Sequence, residues 1–282
     1  MTPDKPAVRS PFVSVLVLLI FASVHAQADT HAEDRDSAGL IEEFFLVESA
    51  YPQERGEYQL TLGTDYVRDS SEGDGQLARF GIEYGVTDRL QIEASLDAWR
   101  NREVLDDGGR AENSGLGEFE FGMSYAFPTA AASGLRYVVG IEITAPVGDV
   151  DKELGEGFWV YEPFLIVSRN FGEETNLTLG LSYGFRERHE TPAEADDVEP
   201  ETDELELSLG LVRAFGPAWR GTFELTYETD ELHDSGGETE AFLAPGLVYS
   251  GMEDLEFGIG MAAGLTADSP DWMLLGFVVY EF

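Results

Sequence analysis

From about residue 57 to the last residue, apolar and polar side chains alternate with a period of two, in runs of roughly ten to twelve residues. In 77–86, Ala78, Phe80, Ile82, Tyr84 and Val86 oppose Arg79, Gly81, Glu83 and Gly85. In 90–98, Leu90, Ile92, Ala94, Leu96 and Ala98 oppose Gln91, Glu93, Ser95 and Asp97. The pattern recurs at 57–67, 116–127, 135–147, 177–186, 204–211, 219–228 and 255–265. Side chains leave a strand to opposite faces in turn, so each run is a strand with one greasy face and one polar or small face. Segment 158–169 is ambiguous, because Trp159, Tyr161, Leu165 and Val167 compete with Val160, Phe164 and Ile166, and Pro163 interrupts the ladder. About twelve strands are expected, forming an all-β, transmembrane, antiparallel up-and-down barrel.

The membrane enters through export and charge. Lys5 and Arg9 precede an apolar stretch, Phe12 to Val24, and Val24-His25-Ala26 reads as a cleavage site, so residues 1–26 are expected to be a signal peptide. The stretch is shorter than the roughly 20 apolar residues that a helix needs to span a bilayer. About 256 residues then remain, enough for one large all-β domain. The chain has no Cys, hence no disulfide and no lipidated cysteine. Asp and Glu number 55 against 17 Lys and Arg, a formal net charge of -38, which repels nucleic acid. Hydrophobic residues make up 43%, so the chain is not an acidic disordered one. With no later apolar run of helix length, a membrane-embedded form must be a closed barrel, because every backbone group needs a partner there.

Connections and aromatic residues fit that reading. Short turns near 87–89, 128–134, 170–176, 216–218 and 250–254 alternate with loops near 68–75, 101–114, 148–157, 187–203, 229–238 and 266–271, mostly longer and acidic. Tyr84, Phe127, Tyr137, Phe215, Trp219, Tyr249, Tyr280 and Phe282 fall near one set of strand ends, and Tyr66, Tyr183, Phe185, Tyr227 and Trp272 near the other. Two aromatic belts mark two membrane interfaces. A soluble β-sandwich or lipocalin-like barrel is the rival, with its greasy face turned inward. An even strand count puts both termini in the periplasm of a Gram-negative bacterium. Outer-membrane lipid and lipopolysaccharide are then partners. The alternating strand that closes on Tyr280 and Phe282 resembles the signal read by the barrel-insertion machinery.

The polar faces line the lumen. They carry Arg79, Glu83, Glu93, Asp97, Glu118, Glu120, Arg136, Glu142, Glu162, Arg186, Glu206, Arg220 and Glu224. Glycines at 81, 122, 140, 180, 210 and 258 are expected to leave space there. A narrow, hydrated, net-acidic passage for a small-molecule solute follows, favouring cations. Its alternative is a lumen in which Glu and Arg only brace the wall of a structural or adhesive barrel.

Gly115-Leu116-Gly117-Glu118-Phe119-Glu120-Phe121-Gly122, then Gly140-Ile141-Glu142-Ile143-Thr144-Ala145-Pro146-Val147-Gly148-Asp149, resemble core segments of the outer-membrane family named for the MetA pathway of phenol degradation. Tyr161-Glu162-Pro163-Phe164 and Asn170-Phe171-Gly172 fit its next strand, and the resemblance covers roughly 57–282. It implies an outer-membrane barrel passing small, including aromatic, compounds, and it transfers no catalytic residue.

The remaining features carry less. Leu40, Ile41, Phe44, Phe45 and Val47 have helical spacing, so 27–56 is expected to be a periplasmic segment with a short helix on the barrel rim, or else a plug entering the lumen. Asp149, Asp151 and Glu153 lack the rest of a calcium loop and read as a solvated acidic loop. An outer-membrane lipid hydrolase would need a lipid-facing Ser-His pair. Beyond the signal only His31, His189 and His233 exist, in the N-terminal tail and in acidic loops. No catalytic group, metal or cofactor is expected.

Overall fold

The computed structural model describes residues 40–41, 43–70, 73–106, 109–128, 134–155, 157–189, 203–230, 237–252 and 254–282. The signal-peptide reading, His31, His233 and most of the 187–203 loop lie outside the described residues. Thirteen strand segments follow one another: β1 (Tyr58–Arg68), β2 (Gly75–Thr87), β3 (Leu90–Asp106), β4 (Gly109–Gly115), β5 (Phe119–Ala126), β6 (Leu135–Ala145), β7 (Phe158–Asn170), β8 (Thr175–Arg188), β9 (Glu204–Ala214), β10 (Trp219–Thr229), β11 (Thr239–Met252), β12 (Leu255–Gly264) and β13 (Trp272–Glu281). Both β4 and β5 pair with β3, one after the other, and so form a single stave. Each stave pairs antiparallel with its neighbours, and β1 pairs with both β2 and β13. The result is a closed barrel of 12 staves. The 101–114 stretch, expected as a loop, is instead a tall hairpin in which Arg100 to Asp106 pairs with Gly109 to Gly115. Its residues keep a ladder because β3 and β4 continue the sheet beyond the neighbouring staves.

Burial settles which way the faces point. On β10, Trp219, Phe223, Leu225 and Tyr227 are exposed, while Thr222, Glu224 and Thr226 are buried. On β8, Leu179, Leu181 and Phe185 are exposed, while Asn176, Thr178 and Ser182 are buried. Leu62 and Ile259 are 57% and 59% exposed, whereas Glu224 and Thr178 are at 0%. A water-soluble fold has the opposite order. A barrel wrapped in hydrocarbon has this one, since lipid is an apolar solvent and the lumen is the polar side. The apolar rows therefore face lipid, and the soluble sandwich is excluded.

Aromatic rings gather at both rims. At the rim with the short turns, Tyr58 lies 4.5 Å from Tyr84 and 5.5 Å from Phe282, Tyr280 lies 5.7 Å from Phe282, and Trp219 lies 4.8 Å from Tyr249, centroid to centroid. At the other rim, Tyr66 lies 5.5 Å from Trp272, and Tyr183 lies 4.9 Å from Phe185. The chain closes on itself where the Tyr58 N–H donates to Phe282 O at 3.0 Å and the Phe282 N–H donates back at 2.9 Å.

Among the described residues, the segment before β1 is not helical. Residues 43–56 run as bends and extended chain, and 41, 44, 47 and 50 are buried. The apolar spacing there serves a different purpose from helix packing. Ile41, Phe44 and Val47 pack on Val212, Val248, Phe277 and Val279. Phe45 and Leu46 pack on Phe242, Ala244, Ala262 and Leu275, and Ala50 and Tyr51 on Ala126, Val138, Phe164 and Ile166. All of these wall residues point inward, so the segment lies inside the barrel.

Candidate functional site

The lumen is built in two parts, a threaded segment and an acidic chamber beside it. Three sets of polar contacts fix the segment to the wall. Glu224 accepts the Phe45 N–H (3.1 Å) and the Leu46 N–H (2.7 Å), and Arg220 Nε donates to Leu40 O at 3.0 Å. Gln91 Oε1 accepts the Gln53 N–H at 2.8 Å, and Gln53 Nε2 donates to Gln59 Oε1 at 2.7 Å. Asn176 donates to the Tyr51 hydroxyl at 3.0 Å, that hydroxyl donates to Asn170 at 3.0 Å, and the Arg136 guanidinium lies 4.6 Å from the Tyr51 ring centroid. An irregular chain has unpaired N–H groups, and these partners satisfy them.

The inward glycines differ: a ring takes the space at Gly140, Gly210 and Gly258, the Glu93 carboxylate at Gly122 and the Ser208 hydroxyl at Gly180, while a Cβ at Gly81 would meet only Thr61 at 3.6 Å. A Cβ on Gly140 would lie 2.1 Å from Phe164 Cζ, and one on Gly210 would lie 2.7 Å from Phe44 Cε1. The Phe45 ring likewise sits over Gly246 and Gly260. Glycine at these positions is the absence of a side chain that lets an aromatic group lie flat on the wall.

Between the segment and the arc of staves from β13 through β1 to β7 lies a cavity of about 170 Å³. Seven carboxyl groups line it, from Glu43, Glu48, Asp65, Glu83, Glu93, Glu120 and Glu142, with Arg79 as their guanidinium counterpart. Glutamines bridge part of the set: Gln59 Nε2 donates to Glu83 at 2.8 Å and to Glu43 at 3.2 Å, and Gln91 Nε2 donates to Glu83 at 2.7 Å and to Glu93 at 3.2 Å. Ser95 donates to Glu120 at 2.7 Å. Arg79 Nε reaches Asp97 at 3.2 Å, and Asp97 also takes Arg100 at 3.1 Å. A register irregularity between Ala78 and Arg79, opposite β3, sits beside this hub.

The residues expected to line the lumen thus divide. Arg79, Glu83, Glu93, Glu120 and Glu142 meet in the chamber, and Asp97 stands behind Arg79. Glu118 is half-buried at the break between β4 and β5, where its carbonyl accepts the Asp97 N–H at 3.0 Å. Arg136, Arg220 and Glu224 hold the segment. Glu162, Arg186 and Glu206 lie on the wall of β7–β9, outside this cavity, with Arg186 ion-paired to Glu204. Sequence reasoning missed Glu43, Glu48 and Asp65 as chamber residues and Gln53, Gln59 and Gln91 as ties. Their polarity was legible, but the partner that gives them a role is the threaded segment itself. His189 lies at the end of β8, with its ring 6.5 Å from that of Trp159.

A search of curated proteins returns no match. Among solved structures, the chain is similar to an outer-membrane channel from Pseudomonas putida F1, at TM-score 0.62 and 13% identity over 84% of this chain and 100% of that one. It is also similar to the NanC porin (TM-score 0.57, 10% identity, 78% and 98% covered) and to the KdgM porin (0.52, 12%, 79% and 99%). At such identities the likeness is one of fold, and that fold is the outer-membrane barrel. The family model described as "Putative MetA-pathway of phenol degradation" matches residues 53–282, the whole wall from the glutamine ties to the last strand, and the chain belongs to that family.

Proposed function

We propose that the barrel is a passive outer-membrane channel for small solutes, with cations preferred, and that residues 40–56 are a resident plug. The observation that carries this is the chamber, where seven carboxyl groups face one guanidinium in a space bounded by a non-helical, side-chain-tied segment. A lumen of one sign concentrates counter-ions and excludes co-ions. The rim that holds Tyr58, Tyr280 and Phe282 is the periplasmic one in this proposal. Tyr280, on the lipid face of β13, and Phe282, just past its end, are the residues offered to the insertion machinery, and lipid and lipopolysaccharide surround the outer rows.

The filled lumen favours a second reading, a closed structural or adhesive barrel. Planar-bilayer recording on the full chain and on a chain lacking residues 27–52 separates the two. Cation-selective current from either chain, larger for the shortened one, supports the channel. Silence from both supports the closed barrel.

A further inference from the structure

We infer that the chamber is a binding site for a single-ring aromatic cation, one molecule bearing both an ammonium group and an aromatic ring; this deepens the channel reading and rests on it for its place in transport. The chamber wall is divided by chemistry. Glu93, Glu120 and Glu142 come from β3, β5 and β6, in the middle of the arc. Phe164 and Phe277 come from β7 and β13, at its two ends, and Phe45 from the segment that crosses it. The Phe45 and Phe277 rings lie 5.0 Å apart and tilted at 42°, and both line the cavity.

The carboxylates front the cavity directly. Gly122 stands between Glu93 and Glu142 in the strand register, and a Cβ there would fall 2.0 Å from Glu93 Oε1. No side chain can stand between the two acids. Among the described residues, no three acidic or histidine side chains converge to hold a metal ion. The negative charge is spread along an arc instead, which suits a diffuse ammonium that keeps part of its hydration. Inorganic cations bring no apolar surface to the rings, and a neutral aromatic brings no charge to the acids. A molecule carrying both groups gains from each wall, through apolar contact and through the attraction of a cation to ring faces. A volume of about 170 Å³ is many times the roughly 10–15 Å³ that one water needs, and it admits one ring with a short tail.

The test is calorimetric titration of the detergent-folded protein with phenylethylammonium, ethylammonium and 2-phenylethanol. Phenylethylammonium should bind about tenfold or more tightly than either of the others, since each wall adds its own share. Glu142→Gln should weaken both ammonium ions and spare the alcohol; Phe164→Leu should reduce the preference for the ring. Glu93→Gln repeats the charge test if Glu142→Gln fails to fold, as judged by heat-modifiable gel mobility. Equal affinity for the two ammonium ions, or no heat from phenylethylammonium, overturns the inference. Potassium current in planar bilayers decides the channel separately. A conducting barrel that does not bind keeps the channel and loses the site, and a silent barrel that binds keeps the site and loses the channel.

Discussion

Glu224 shows how one buried acid can organise a lumen. Its side chain has no exposure, and its Oε2 takes the successive Phe45 and Leu46 N–H groups of a segment with no ladder of its own. Glu224→Ala leaves two buried donors unpaired, at a cost of about 1–3 kcal/mol each. We expect the barrel to survive and the segment to loosen, read as faster proteolytic cleavage within 40–56 while β-sheet circular dichroism is kept. Asp97 acts on the wall itself. It is buried, ties Arg79 to Arg100, and packs under Gly117. Because both guanidiniums are partly exposed, Asp97→Ala is expected to cost only about 2 kcal/mol. A lower urea midpoint measures it.

At the scale of elements, the strands were legible and the segment was not. Period-two alternation located nearly every stave, because a barrel in lipid presents a different solvent to each face. The exceptions are instructive. Segment 158–169 looked ambiguous because Phe164 and Ile166, on the inward face of β7, are as apolar as Leu165 and Val167 on the outward one. The same doubling occurs on β11 and β13, where Phe242, Val248, Leu275, Phe277 and Val279 point inward. Each of these is where the segment rests. Strands greasy on both faces, in a chain otherwise strictly alternating, are therefore the sequence trace of a plug. The 40–47 spacing was misread as helical because a chain threading past several staves also buries residues every three or so. Deleting residues 27–52 exposes those inward apolar residues to lumen water, so a lower unfolding temperature is expected by differential scanning calorimetry, together with higher conductance. Phe282→Ala removes a ring from the closing cluster with Tyr58 and Tyr280. A smaller heat-modifiable fraction after refolding into detergent is its expected result.

The whole molecule carries its charge on the inside as well as in its loops. Lumen polarity was readable residue by residue, since a polar face opposite a lipid face must line the interior. Which acids share a chamber was not readable, because strand register, the Gly122 gap and the plug together decide it. The same inversion of burial that places Leu62 and Ile259 in lipid places Glu93, Glu120 and Glu142 around a common space. The most direct measurement is the reversal potential of the purified protein in a planar bilayer under a potassium chloride gradient, for the full chain and for the chain lacking residues 27–52. A potential displaced toward the potassium equilibrium value, present in at least the shortened chain and reduced by Glu93→Gln with Glu142→Gln, is the expected result. A potential on the chloride side, or no current from either chain, would contradict an acidic conducting lumen.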